Sequence, residues 1–592
     1  MKKVVLIEPQ SKEDHVYKHV RMPRLGLPIL GTQLKDAGYQ VSIYLGKGES
    51  LPWPEIFDAD LIGISTTTAT CREAYRIAGV LQTKGIPVII GGIHATFEPE
   101  EAIHFADYVV TAEAEYSFLP LVRSIEAGSL PVDIPGVAYW ENGSPVYNPP
   151  SCEAVNMDSV PIPDLSLLNC FSSLRSIPVM TSRGCPFNCT FCCVTQMFGR
   201  RYRFRSTESV LTELALYSGR PIFFCDDNFT ADLKRSKELL REIIDRGIKL
   251  KSWGAQVRAD AARDEELLDL MRRSGCGIVY IGFESINPET LKSYNKQQTV
   301  DDIEWAINRF HAHGIRIHGM FVFGGDGDTA DTIRETTNYA LKAHIDSIQF
   351  MILTPLPGTP FYKKLEEEGR ILTGDWSLYD GHHAVYKPVL LSALDLQLET
   401  IKAMKKFYSL RYIFQNVRRT GWASALYRGI GWGLTRHFDF RNHWYYSFLE
   451  RLQETEPRPE TLFYRLLKVP ETEQNKIGEK LLPLRISLVE QKGVIYLKLR
   501  GLVGNLHLKE LKRSLKKNLP NHYSELVVNM EGLRFASEKT ATLFWKQMEK
   551  LGDKARRMQI VIAAENQARK FIPANIKDRF KMPHIELLFN RR

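Results

Sequence analysis

The chain has 592 residues, 44% of them hydrophobic and 25% charged, a globular composition that excludes collagen-like and wholly disordered classes. That length predicts several domains. Its nine cysteines include one tight cluster, which points away from a disulfide scaffold and toward a reducing compartment. A net charge of +9 is modest for this length and supports nucleic-acid binding only where a local basic patch accompanies it.

The basic start at Met1 leads into apolar residues 4–7, which stop at Glu8 and Pro9, so a first strand is expected there and not a signal peptide. No window nears the ~18 apolar residues needed to span a bilayer. Up to residue 150, apolar runs at 4–7, 41–44, 61–64, 88–90 and 108–110 alternate with helical patterns at 26–37 and 70–84. This predicts a flavodoxin-like parallel sheet over 1–150, with helices on both faces and ligands beyond the strand carboxyl ends. Those ends carry Ser65 and Thr66, Gly91 and Gly92, and Glu113 with Glu115. Hydroxyls and paired glycines let a backbone approach a large ligand closely. Residues 135–150 predict a hairpin turning on Asn142 and Gly143, and prolines at 149, 150, 161 and 163 mark a connector.

From 177 the alternation resumes with longer helices. Strands are expected near 177–182, 221–226, 249–256, 278–284, 315–323 and 346–352, and a helix over 301–313 with Ile303, Ala306, Ile307 and Phe310 on one face. Six such units predict a partial (β/α)6 barrel over 170–385 with its functional groups at the strand carboxyl ends. After the first of these strands stand Cys185, Cys189 and Cys192. Three thiolates on one loop suit three irons of a [4Fe-4S] cluster and leave the fourth iron open. Structural zinc would want a second cysteine pair, which is missing. Cys193, Cys225 and Cys276 read as structural thiols, the last two as buried small residues.

The CxxxCxxC spacing, with Phe191 before the third cysteine, resembles the radical S-adenosylmethionine (SAM) family. The resemblance implies that Cys185, Cys189 and Cys192 bind the cluster and that Phe191 packs near the SAM adenine. It further implies SAM contacts from Asp226 or Asp227, Arg258, Glu284 and Ser285. The first domain resembles the cobalamin-binding domain of the B12-dependent members, which implies a cobalamin pocket lined by Ser65, Thr66, Gly91, Gly92 and Glu113. The family's D-x-H-x-x-G motif is absent, since Asp14 and His15 are adjacent, so histidine ligation of cobalt is not expected. Together these resemblances imply C-methylation of an unactivated carbon of a small molecule or lipid through a 5'-deoxyadenosyl radical and methylcobalamin. A reductant such as flavodoxin or ferredoxin is implied with them. Two other readings stand: ring formation or rearrangement without net methylation, and a cobalamin- or redox-sensing regulator.

Beyond the barrel, 354–383 is rich in Pro, Trp, Tyr, Asp and His and fits either a cover over the barrel mouth or a structural wrap. The adjacent His382 and His383 are not expected to bind a metal. A helical extension is expected over 386–470. Within it, 401–450 holds nine Lys or Arg against two acidic residues, interleaved with aromatics such as Tyr408, Tyr412 and Trp432. Such a segment fits a helix packed on its own protein or one contacting a membrane surface, with nucleic acid a poor fit. The expected location is cytoplasmic, with peripheral contact to the inner membrane face as an open alternative. Strand and helix patterns over 484–592 resemble the STAS domain of anti-sigma-factor antagonists. Ser537 matches that family's hydroxyl, but Ala536 replaces its Asp, so a protein-docking module is expected in place of a phosphorylated one.

Overall fold

The computed structural model describes residues 2–10, 22–454, 485–491, 494–503, 508, 511, 523–535, 542–546, 548, 555–563 and 585–590. Asp14, His15, Ala536 and Ser537 lie outside the described residues. The chain forms two compact units, the first spanning Met1–Trp140, Pro145–Leu372 and Trp376–Leu449.

The first sheet holds β1 (Lys3–Pro9), β2 (Gln40–Gly46), β3 (Leu61–Ser65), β4 (Val88–Gly91), β5 (Tyr108–Val110), β6 (Val137–Glu141) and β7 (Ser144–Tyr147). Their order is β2-β1-β3-β4-β5-β6-β7. Pairing is parallel from β2 through β5, and β6 joins β5 antiparallel. Val4, Val5, Leu6 and Ile7 of β1 are all fully buried, as a central parallel strand covered on both faces requires. Strand order reverses about β1, which places a switch point between β1 and β3, where crevices for ligands form. The helix Cys71–Gln82 buries Ala74, Ile77, Ala78 and Leu81, a helical stripe that packs on the sheet. The hairpin turns on Asn142 and Gly143, with φ of 49° and 84°.

The second sheet begins at β8 (Ile177–Val179). A short antiparallel pair follows, β9 (Ser182–Arg183) with β10 (Arg203–Phe204). Then come β11 (Pro221–Phe224), β12 (Ser252–Val257), β13 (Cys276–Glu284), β14 (Arg316–Phe323) and β15 (Ser347–Ile352). β8 and β11–β15 pair in parallel and in sequence order, with β8 and β15 as edges, so the barrel is partial. The helix Val300–Ala312 buries Ile303, Ala306, Ile307 and Phe310, and its start is fixed by a capping box of Thr299 and Asp302.

Helices Ala393–Phe407, Leu410–Arg441 and His443–Glu454 carry the basic, aromatic stretch. Arg428 is 1% exposed, donates to the Asp346 carbonyl at 2.9 Å and lies 5.1 Å from the Tyr412 ring centre. This part of the stretch packs on its own protein, with long basic stems over aromatic faces. Phe414 and Phe440 nonetheless stand 69% and 75% exposed. His383 is fully buried between the Asp380 carboxylate (3.0 Å) and the Asn442 side chain (2.9 Å), a structural tie.

The second unit carries a five-stranded sheet of β16 (Arg485–Gln491), β17 (Val494–Val503), β18 (Tyr523–Phe535), β19 (Ala555–Ala563) and β20 (Ile585–Asn590). β16 pairs β17 antiparallel, and the remaining pairs are parallel. The strand patterns foresee β17–β19 but neither edge strand. Among the described residues, no helix is long and apolar enough to cross a membrane.

Candidate functional site

The loop after β9 carries the three cysteines, and the chain around it is built to hold that loop still. Gly184 has a φ of 88°, and a side chain there would collide with the Arg201 carbonyl across the β9–β10 pair, so glycine is required. The Thr190 N–H donates to the Tyr294 carbonyl at 3.2 Å, and Asn295 donates to the Asn188 carbonyl at 2.9 Å. Thr195 closes the far side through the Phe187 carbonyl at 3.0 Å. Cys185, Cys189 and Cys192 are half-buried on this loop. Burial raises all three thiols, Cys192 to about 12, while Lys296 and Arg258 oppose the shift at Cys189. The Phe191 ring meets Tyr294 edge-on at 5.1 Å.

Asp226 does not face the site. It is fully buried below the loop, where it accepts the Thr181 and Ser182 N–H groups at 2.7 and 3.0 Å and also the Thr181 hydroxyl. Arg235 closes this knot by donating to the Thr181 hydroxyl at 2.7 Å. Asp226 is thus a strut, and of the two expected acids Asp227 alone lines the cavity. Asp227 accepts the Gly184 N–H at 3.0 Å, and burial pushes its carboxyl up to about 6.

Arg258 is tied to the chain as well: it donates to the Lys296 carbonyl at 2.6 Å, and its guanidinium lies 3.7 Å from the Phe187 ring centre. That stacking clamps the cysteine loop to the turn at 296–297. Glu284 has a φ of 61° and pairs with Lys296 at 2.7 Å. Ser285 accepts the Asn287 N–H at 3.0 Å in the turn that follows β13.

A cavity of about 530 Å³ opens beside the loop. Ser65, Gly91, Gly92 and Glu113 line it from the first sheet, and Cys225, Asp227 and Gln256 from the second. Thr66 does not line it: its hydroxyl donates to the Gly91 carbonyl at 2.9 Å and the residue is fully buried. Gly92 has a φ of 94°, and a Cβ there would sit 2.5 Å from the Thr66 carbonyl oxygen, so the two strand-end loops touch backbone to backbone.

Sequence reasoning missed two residues here. Cys225, read as a buried small residue, lines the cavity, and burial raises its thiol to about 12. Arg183 donates to Glu113 and, at 2.6 Å, to Glu115, while Arg203 pairs with Glu113 at 2.9 Å. Burial works against the Arg183 charge, but Glu115 and Glu113 outweigh it and raise its pKa. One signal for this network was present: an arginine just before the cysteine loop and two acids at a strand end.

Residues 179–340 match the Radical SAM superfamily, and residues 19–122 match the B12 binding domain. Over 409 residues the chain is 33% identical to an uncharacterized methyltransferase of Pyrococcus horikoshii, covering 65% of this chain and 88% of that one. Over 423 residues it is 29% identical to the bacteriochlorophyllide d C-12(1)-methyltransferase of Chlorobaculum tepidum, covering 69% and 87%. In fold it is similar to the radical SAM methyltransferase TsrM of Kitasatospora setae, solved with cobalamin and a [4Fe-4S] cluster bound. That match has a TM-score of 0.57 at 20% identity and covers 74% of this chain and 100% of that one.

Proposed function

Because the chain belongs to the B12-binding radical SAM methyltransferases, we propose that it places a methyl group from SAM on an unactivated carbon of a small molecule or lipid. The observation that carries this reading is a cavity lined by both strand-end sets, Gly91, Gly92 and Glu113 on one side and Asp227, Cys225 and Gln256 on the other.

The residues present fit the cofactors. Cys185, Cys189 and Cys192 offer three thiols and leave one iron position to another ligand, which is the donor set an open [4Fe-4S] site needs. Gly91 and Gly92 line the cavity with backbone on the first-sheet side, the surface against which a large planar group would lie. When bound, the cluster, SAM and cobalamin supply the one-electron chemistry and the methyl group, and the protein supplies position and a dry enclosure. Asp227 and Ser285 sit at the carboxyl ends of β11 and β13, where SAM's polar groups would be held. Phe118, Met180, Met197, Phe198 and Phe223 give this cavity an apolar lining.

The experiment is anaerobic incubation of the reconstituted protein with reductant, methyl-labelled SAM and a lipid extract, followed by mass spectrometry. Labelled product together with 5'-deoxyadenosine and S-adenosylhomocysteine is expected. 5'-Deoxyadenosine without S-adenosylhomocysteine would instead mean ring formation or rearrangement. SAM bound but never cleaved under strong reduction would mean a regulator.

The finer readings belong with this proposal. The chain divides into a cobalamin domain over 1–150, a radical domain over 170–385, an extension over 386–470 and a STAS-like docking module over 484–592. The parallel run from β17 to β20 supports the last. A small reductant such as flavodoxin or ferredoxin supplies electrons. Contact with a membrane surface through 401–450 is supported by the exposed Leu410, Phe414, Ile430 and Phe440 among basic residues. Phe414→Asp with Phe440→Asp is expected to lower binding to anionic vesicles in a flotation assay, and unchanged binding would sink the membrane reading.

A further inference from the structure

We propose that Cys71, His94 and Glu101 form a buried zinc site separate from the cysteine loop and from the cavity. Their ligand atoms lie within 4.8 Å of one another, and the residues are 0%, 1% and 8% exposed. None of the three lines the cavity beside the cysteine loop.

The second observation is the state of His94. Neither of its ring nitrogens has a hydrogen-bond partner among the described residues, although both are buried. The nearer approach, Nε2 to Glu101 at 3.8 Å, is too long for a hydrogen bond. A buried imidazole with both nitrogens unsatisfied, facing a buried carboxylate it does not reach, is an expensive arrangement. A cation between them removes both costs. Ligand atoms around tetrahedral zinc sit about 3.3–3.8 Å apart, so the group closes on an ion by side-chain shifts of about 1 Å.

The donor set selects the ion. Thiolate, imidazole and carboxylate together suit zinc, whereas magnesium and calcium want oxygen alone. Cys71 gives up its proton on binding and opens the helix Cys71–Gln82, where the positive end of the helix dipole favours the thiolate. The Trp376 indole N–H donates to both Glu101 oxygens at 3.2 and 3.1 Å and so orients the carboxylate from the outer shell. The Trp376 ring also meets His94 edge-on at 5.4 Å. Enclosed in this way, the ion acts as a staple. It ties the loop after β4, which carries Gly92, to the start of the helix that follows β3.

The test uses the full-length protein, purified anaerobically with cluster and cobalamin restored and assayed for metals by mass spectrometry. About one zinc per chain is expected beside the iron and cobalt. Cys71→Ser and His94→Gln are each expected to lower zinc about tenfold or more while iron content is kept. X-ray absorption at the zinc edge of the unmodified protein, which needs no variant to fold, should show one sulfur at about 2.3 Å and nitrogen or oxygen neighbours at about 2.0 Å. Zinc well below stoichiometric amounts overturns the site, as does zinc retained by both variants. A three-sulfur zinc spectrum that vanishes in Cys185→Ala also overturns it, because it places the ion on the cysteine loop.

Discussion

Arg183 is the residue whose loss should be felt furthest. Its side chain is 9% exposed and is shared between Glu113 and Glu115. Arg183→Met keeps the volume but leaves the buried Glu115 carboxylate without its arginine, while Glu113 keeps Arg203; removing one partner of a buried pair costs about 3–5 kcal/mol. Urea denaturation is expected to report that loss, while Glu115→Gln in the same background returns part of it. His318 provides a pH readout. Burial lowers its pKa to about 4, against 6.5 in an unfolded chain, with the Gln349 side chain opposing. The unfolded state therefore takes up a proton first as pH falls, and stability declines between pH 6.5 and about 4 by about 3 kcal/mol. His318→Gln should flatten that slope in thermal melts of the apoprotein. Which side chains would do such work was only partly legible. The cysteine triad is read from spacing alone, since its geometry is local. The roles of Asp226 and Thr66 are decided by Thr181 and Gly91, far along the chain, and no spacing rule shows that.

Among elements, the strand ends are where small residues carry the design. Gly92→Ala puts a Cβ against the Thr66 backbone at a φ of 94°, so it is expected to destabilise by more than about 1 kcal/mol and to lower cobalamin binding. Chemical denaturation and a cobalamin titration measure the two effects separately. Thr299→Ala removes a capping box from the helix Val300–Ala312 and should cost about 1 kcal/mol, with cofactor content unchanged. Elements were the most legible level. Alternating apolar runs, capping residues and the Asn142-Gly143 turn each act within a few residues, and the strands of the seven- and six-stranded sheets fall within a few residues of their expected positions, whereas the short strand β10 was not foreseen. The edge strands β16 and β20 escaped because an edge strand needs only one packed face and one paired side, so its apolar signal is short.

At the scale of the whole molecule, the seven-stranded and six-stranded sheets belong to one compact unit, and long-range ties hold distant segments of that unit together. Lys35 pairs with Asp164 at 2.6 Å, and Trp376 reaches Glu101. The cysteine loop is the meeting place of such ties. Segments near 258, 294–296 and 361 all bond or stack on it, the last through the Phe361 N–H to the Thr190 carbonyl at 3.1 Å. A loop held from three distant directions has already lost most of the freedom that a bare coil would surrender on filling. Iron and sulfide arriving there meet a mould, not a search problem, so maturation should run at the pace of ligand exchange. Arg258→Ala, which releases the Phe187 side of the mould, should then slow cluster assembly from iron and sulfide while leaving the finished cluster's iron content intact.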